Sequence, residues 1–151
     1  MTAPTSTTAT NTTRITQVAT VFVPVVDQDR ALEFYLNTLG FEQRVDFVYG
    51  GSHRWVEVAP RGSAMALALV PPSEGATTDR NTTRCALMTA DIEADHATLR
   101  ARGVDVDPEI ARTGKRRPGL VSPEVSVENP VPPQFFFRDI DGNRFLIVQP
   151  D

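Results

Sequence analysis

Two stretches of this chain read alike. In each, a short apolar run ends at an aspartate, apolar residues then recur at helical spacing, and a glycine stops the pattern: Asp27 to Gly40, and Asp91 to Gly103. An aspartate at a helix start accepts the orphan N–H groups of the first turn. A glycine just past the end takes the left-handed conformation that closes the helix. Ala31, Leu32, Tyr35, Leu36 and Leu39 form the apolar stripe of the first stretch, and Ile92, His96 and Leu99 that of the second. The pattern predicts helices near 27–39 and 91–102. A repeat at this period means one supersecondary unit built twice.

The segments around the helices read as strands. Residues 15–26 carry Val18, Val21, Val23 and Val25, with Pro24 marking an end or an edge. Residues 41–48, 53–59 and 64–70 follow, separated by turns at Gly50-Gly51 and Arg61-Gly62-Ser63. The second unit repeats this order, with a strand over 84–90 before its helix. It ends on a strand pair, Phe135-Phe136-Phe137-Arg138 and Arg144-Phe145-Leu146-Ile147-Val148, turned at Asp141-Gly142. The expected organisation is a disordered tail over 1–14 and a single domain over 15–150. Within it, module one covers 15–70, a polar linker 71–82, and module two 83–150. The segment 107–133 breaks the symmetry. It is long and rich in proline (Pro108, Pro118, Pro123, Pro130 and Pro132 among them) and carries Lys115-Arg116-Arg117. It reads as an irregular crossing with a short strand over 124–128, as a lid over a pocket, or as a basic patch.

Composition excludes several classes. A net charge of -4 argues against a general nucleic-acid binder. The single cysteine, Cys85, rules out an intrachain disulfide. No apolar run reaches the roughly 18 residues of a membrane span. The expectation is a soluble cytoplasmic protein with no nucleic-acid or membrane partner.

The ordered set of segments resembles the vicinal oxygen chelate superfamily, the glyoxalase/bleomycin-resistance/extradiol-dioxygenase group. The matching pieces are Val23-Pro24-Val25-Val26-Asp27, Arg30-Ala31-Leu32-Glu33-Phe34-Tyr35, Leu39-Gly40-Phe41, Arg54-Trp55-Val56-Glu57-Val58, Leu99-Arg100-Ala101-Arg102-Gly103-Val104 and Phe137-Arg138-Asp139-Ile140-Asp141-Gly142-Asn143-Arg144-Phe145. The resemblance implies an α+β fold of two βαβββ modules forming a curved mixed sheet with a concave cleft. It also implies a homodimer, and a divalent metal held in the cleft by one side chain from each of four strands. At the positions that match the family's ligands this chain has Thr20, Ala66 (with Ala64 and Ala68 beside it), Arg84 and Leu146. Hydroxyl, methyl, guanidinium and isobutyl groups do not make a divalent metal site. The expected cofactor is therefore none, with a metal conceivable only at a non-standard site.

Strand alternation supplies the remaining candidates. His53, Trp55 and Glu57 share one face of their strand. Trp55 is the best stacking surface for a planar ligand. His53 and Glu57 are the candidate acid–base groups or relocated ligands, although a solvated strand face is the simpler account of them. Arg84 is expected to point into the cleft and to bind an anionic or carbonyl group, the alternative being an ion pair with a neighbour. Phe22, Phe136, Leu146 and Met88 complete a largely apolar lining. Cys85 and His96 read as structural. The resulting expectation is a small-molecule-binding member that sequesters a drug-like or planar metabolite without a metal. The alternative is a lyase, isomerase or oxygenase using relocated ligands or metal-free acid–base chemistry.

Overall fold

The structure is a computed structural model that describes residues 13–14, 16–51, 53–71, 82–112 and 132–150. Most of the expected tail, the linker, Lys115-Arg116-Arg117 and the strand over 124–128 lie outside the described residues.

Chain order is β1 (Thr20–Pro24), α1 (Gln28–Glu33) running into a π-helical turn (Phe34–Thr38), β2 (Glu42–Tyr49), β3 (His53–Ala59), β4 (Ala66–Val70), β5 (Thr83–Met88), α2 (Ile92–Ala101), β6 (Asp105–Val106), β7 (Gln134–Arg138) and β8 (Arg144–Val148). The strands form two four-stranded sheets, β1-β4-β3-β2 and β5-β8-β7-β6. In each sheet the first and last strands of the unit pair in parallel and the other pairs are antiparallel. The same βαβββ topology thus appears twice, and the fold is α+β with mixed sheets.

Both helices start as their sequences predict. The Asp27 carboxylate accepts Arg30 N–H at 3.1 Å, and the Asp91 carboxylate accepts Ala94 N–H at 3.1 Å. The first helix departs from expectation after one turn and a half. Leu39 N–H bonds Phe34 C=O at 3.1 Å, five residues back, so the segment ends in a wider turn. Apolar spacing over a single turn cannot separate these two helical periods. Gly40 and Gly103 close the helices at φ 79° and 78°.

Alternation then assigns faces. Val23, Val56, Val58, Leu67 and Leu69 of the first sheet meet Ala31, Phe34 and Tyr35. Phe135, Phe137, Phe145 and Ile147 of the second sheet meet Ile92 and Leu99. All of them belong to one continuous core cluster. Tyr35 joins the halves, its ring edge-on to Phe145 with centroids 6.3 Å apart. Each such fully buried side chain contributes about 1.5–3 kcal/mol.

A buried polar network fastens the same seam. Tyr35 Oη donates to Asp139 Oδ2 at 2.7 Å. Asp139 Oδ1 accepts the N–H groups of Asp141 and Asn143, both at 2.9 Å. Asn143 Nδ2 donates to Asp139 Oδ2 at 2.9 Å and to the Pro24 carbonyl of module one at 2.8 Å. The β7–β8 connection is therefore a five-residue loop organised by the Asp139 carboxylate, rather than the bare two-residue turn that Asp141-Gly142 suggests. Burial, and then the Asp139 carboxylate, hold the Tyr35 hydroxyl well above its ordinary pKa. Burial also pushes the Asp141 carboxyl up, against the opposing pull of Val26 N–H, which its Oδ1 accepts at 3.0 Å.

Candidate functional site

The face of the first sheet turned away from the core carries an aromatic surface. Residues opposite one another on β2 and β3 pair as Tyr49 with His53, Phe47 with Trp55, and Val45 with Glu57. A shallow cavity of about 460 Å³ is lined by Val45, Phe47, Tyr49, Trp55 and Glu57. Phe22, on β1 beyond β4, stands edge-on to Trp55 with ring centroids 5.7 Å apart. His53 stacks on Tyr49 at 5.5 Å. Phe22 and Phe47 are 47% and 52% exposed, so this face presents apolar ring area that a ligand could cover.

The indole of Trp55 is locked in place. Its Nε1–H donates to Glu57 Oε2 at 2.6 Å. That bond fixes the ring plane and occupies one oxygen of the only carboxylate lining this cavity. His53 and Glu57 do not form a pair. Four steps along the strand separate their backbones by roughly 13 Å at the usual rise, with Trp55 midway on the same face.

The remaining candidates lie on the second sheet. Phe136 and Leu146 face each other across β7 and β8. Ala86 pairs with Leu146, and Met88 is 78% exposed. Arg144 lays its guanidinium over the Phe136 ring, 4.8 Å from the centroid, and donates to Thr83 Oγ1 at 2.9 Å. Arg84 is placed differently from a simple alternation. Between Thr83↔Arg144 and Ala86↔Leu146, β5 advances three residues while β8 advances two. This bulge breaks the period-two pattern at Arg84, and its Nε donates to the buried Asn143 Oδ1 at 3.1 Å. None of the second-sheet candidates lines the cavity at Trp55.

Sequence reading missed Val45, Phe47 and Tyr49, because the alternation of β2 is mixed and shifts register between Gln43 and Val45. Their signal is positional: residues cross-strand from His53, Trp55 and Glu57 share that face. Arg144 was missed for want of any local mark.

Of the residues that the resemblance aligns with metal ligands, Thr20 lies beside Ala66 in the β1–β4 register, with Phe22 beside Ala68. Thr20, Ala66, Arg84 and Leu146 offer one hydroxyl and a cation, a donor set that does not fit a divalent ion. Among the described residues no cluster of three or more His, Cys, Asp or Glu is placed to hold a metal. Cys85 is partly buried, and burial pushes its thiol up, away from thiolate chemistry. His96 bonds the Asp107 carbonyl through Nε2 at 2.7 Å and packs edge-on to Phe135 at 4.9 Å, a structural position.

Residues 14–147 match the family model of the Glyoxalase/Bleomycin resistance protein/Dioxygenase superfamily. TnmS3, an antibiotic binding protein from Streptomyces sp. CB03234, has a similar crystal structure. The TM-score is 0.69 at 32% identity, over 93% of this chain and 100% of that one. A superfamily member from Sphaerobacter thermophilus gives 0.69 at 32% identity, over 90% and 98% of the two chains. The uncharacterized protein YetH of Bacillus subtilis is 27% identical over 135 residues, 89% of this chain and 99% of that protein. No described helix is long and apolar enough to cross a membrane.

Proposed function

The chain belongs to the glyoxalase/bleomycin resistance protein/dioxygenase superfamily, and within it we propose a binding protein that holds a planar, drug-like small molecule against the aromatic face around Trp55, without a metal at the family position. The observation that carries this reading is the outward-facing aromatic surface of exposed Phe22 and Phe47 with half-buried Tyr49 and Trp55, the indole fixed by Glu57. Rigid aromatic faces bind planar molecules through stacking and area burial, with little loss of conformational entropy. The similarity to TnmS3, described as an antibiotic binding protein, supports the same reading.

Trp55 is the only tryptophan, so its emission reports on the site directly. Titration with a panel of planar aromatic antibiotics is expected to quench it saturably, and Trp55→Leu to weaken binding of the same compounds about tenfold by calorimetry. Protein purified without chelator is expected to carry far less than one equivalent of zinc, nickel, iron or manganese, with a Tm unchanged by EDTA. A stoichiometric metal that is lost on His53→Ala or Glu57→Ala overturns the reading and replaces it with the enzymatic one.

The protein is also proposed to act as a homodimer in the cytoplasm. The exposed Val48 on β2, an edge strand of the first sheet, supports pairing, since open apolar strand edges are covered in stable assemblies. Sedimentation equilibrium that yields only a 16.6 kDa species at micromolar concentration counts against it.

A further inference from the structure

A second cavity lies at the junction of the two modules and shares no lining residue with the one at Trp55. Its volume is about 360 Å³, within the range of roughly 300–1,000 Å³ typical of small-molecule sites. Module one contributes the end of its first helix, with Leu39 and Phe41, and the β3–β4 turn at Arg61. Module two contributes Leu99 and Arg102 from α2, and Phe137 and Ile147 from its sheet. The floor is the shared core itself: Leu99, Phe137 and Ile147 are 5%, 0% and 6% exposed.

The mouth has a different character. Arg61 and Arg102, one from each module, stand exposed at its edge. Arg102 is steadied by a bond from Nη1 to the Thr38 carbonyl at 2.6 Å, which leaves most of its guanidinium donors available. Arg61 makes no hydrogen bond or ion pair among the described residues. The one acidic residue lining the cavity is Asp95, and its Oδ2 accepts the Thr89 hydroxyl at 2.5 Å. Two guanidinium groups over an apolar floor fit a molecule with a hydrocarbon body and a carboxylate head. The side chains of Leu99, Phe137 and Ile147 offer the body nothing to hydrogen-bond, and an apolar floor of this kind gains from apolar filling.

We propose that this inter-module cavity is a binding site for small amphipathic carboxylates, distinct from the face around Trp55. Because such a ligand touches both modules, it binds the folded chain and not the unfolded one, and raises Tm with concentration. The test uses three probes of equal chain length on the full-length protein: octanoate, octylamine and octan-1-ol. Octanoate is expected to raise Tm in a concentration-dependent manner, octanol less, and octylamine not at all, with Trp55 emission unchanged throughout. Arg61→Glu and Arg102→Glu are each expected to weaken octanoate binding about tenfold by calorimetry. Thr98→Trp, which fills the cavity from α2, is expected to abolish binding while the far-ultraviolet dichroism stays native. Should Arg102→Glu fail to fold, Arg61→Glu decides, since that side chain holds nothing in place. Equal shifts from octanoate and octylamine, no shift from octanoate, or a shift that survives Thr98→Trp would each overturn the proposal. Loss of antibiotic binding at Trp55 leaves all of these outcomes unaffected, so the two sites fail separately.

Discussion

At the residue scale, Trp55 and Tyr35 show how differently two aromatic side chains of one fold are used. Trp55 lies on the exposed face and holds no core together, so Trp55→Ala should cost little stability. It should weaken binding of any stacked ligand about tenfold, as loss of an aromatic contact and its area does, a difference readable by calorimetry beside thermal melting. Tyr35 is fully buried, and its hydroxyl donates to Asp139. The folded protein keeps that proton beyond the pH at which an unfolded tyrosine, near about 10, gives it up. Stability should therefore be full below about pH 10 and fall as pH rises from there toward the folded value. Tyr35→Phe should remove that alkaline slope, and at neutral pH cost about 1–3 kcal/mol because Asp139 loses a donor inside the core. Urea melts at several pH values check both parts; an unchanged alkaline slope in the variant assigns it to another group. The position of Trp55 could be read from alternation along β3 alone. That of Arg84 could not, since a bulge is a property of two strands in register and leaves no mark in one of them.

At the scale of elements, caps and stops were legible and helical pitch was not. Asp27 and Asp91 cap the helices the sequence assigns to them, because a short carboxylate before an apolar stripe has few better partners than the first-turn N–H groups. Asp27→Ala and Asp91→Ala should each destabilise the protein by about 0.5–2 kcal/mol, with Asn at the same position recovering most of the loss. Denaturant titration measures this, and no change in either variant would mean that packing alone sets those helix starts. The π-helical turn over Phe34–Thr38 went unread because one turn is too short to reveal its period. The aromatic wall of β2 went unread for a related reason: its register shift between Gln43 and Val45 scrambles the alternation that would have flagged Phe47 and Tyr49.

At the scale of the whole molecule, duplication was the most legible feature and the joining of its halves the least. The repeated strand–helix–strand order follows from local pattern, and both sheets adopt the same strand order. Nothing local says that Tyr35 of one unit meets Asp139 and Phe145 of the other. Because the core is continuous, near-ultraviolet and far-ultraviolet dichroism should lose signal together in a single transition. Two separated transitions would show that each unit stands alone. The seam has a consequence for descent as well. A doubled gene lets its copies drift independently only where they face solvent. Here a hydroxyl in one copy and a carboxylate in the other complete a single buried bond across 104 positions, and an amide in the second copy donates to a carbonyl of the first across 119. A change at Tyr35, Asp139 or Asn143 strands its partner in the interior, so these positions should be inherited as a block, with paired replacements outnumbering single ones among descendants of the same ancestor.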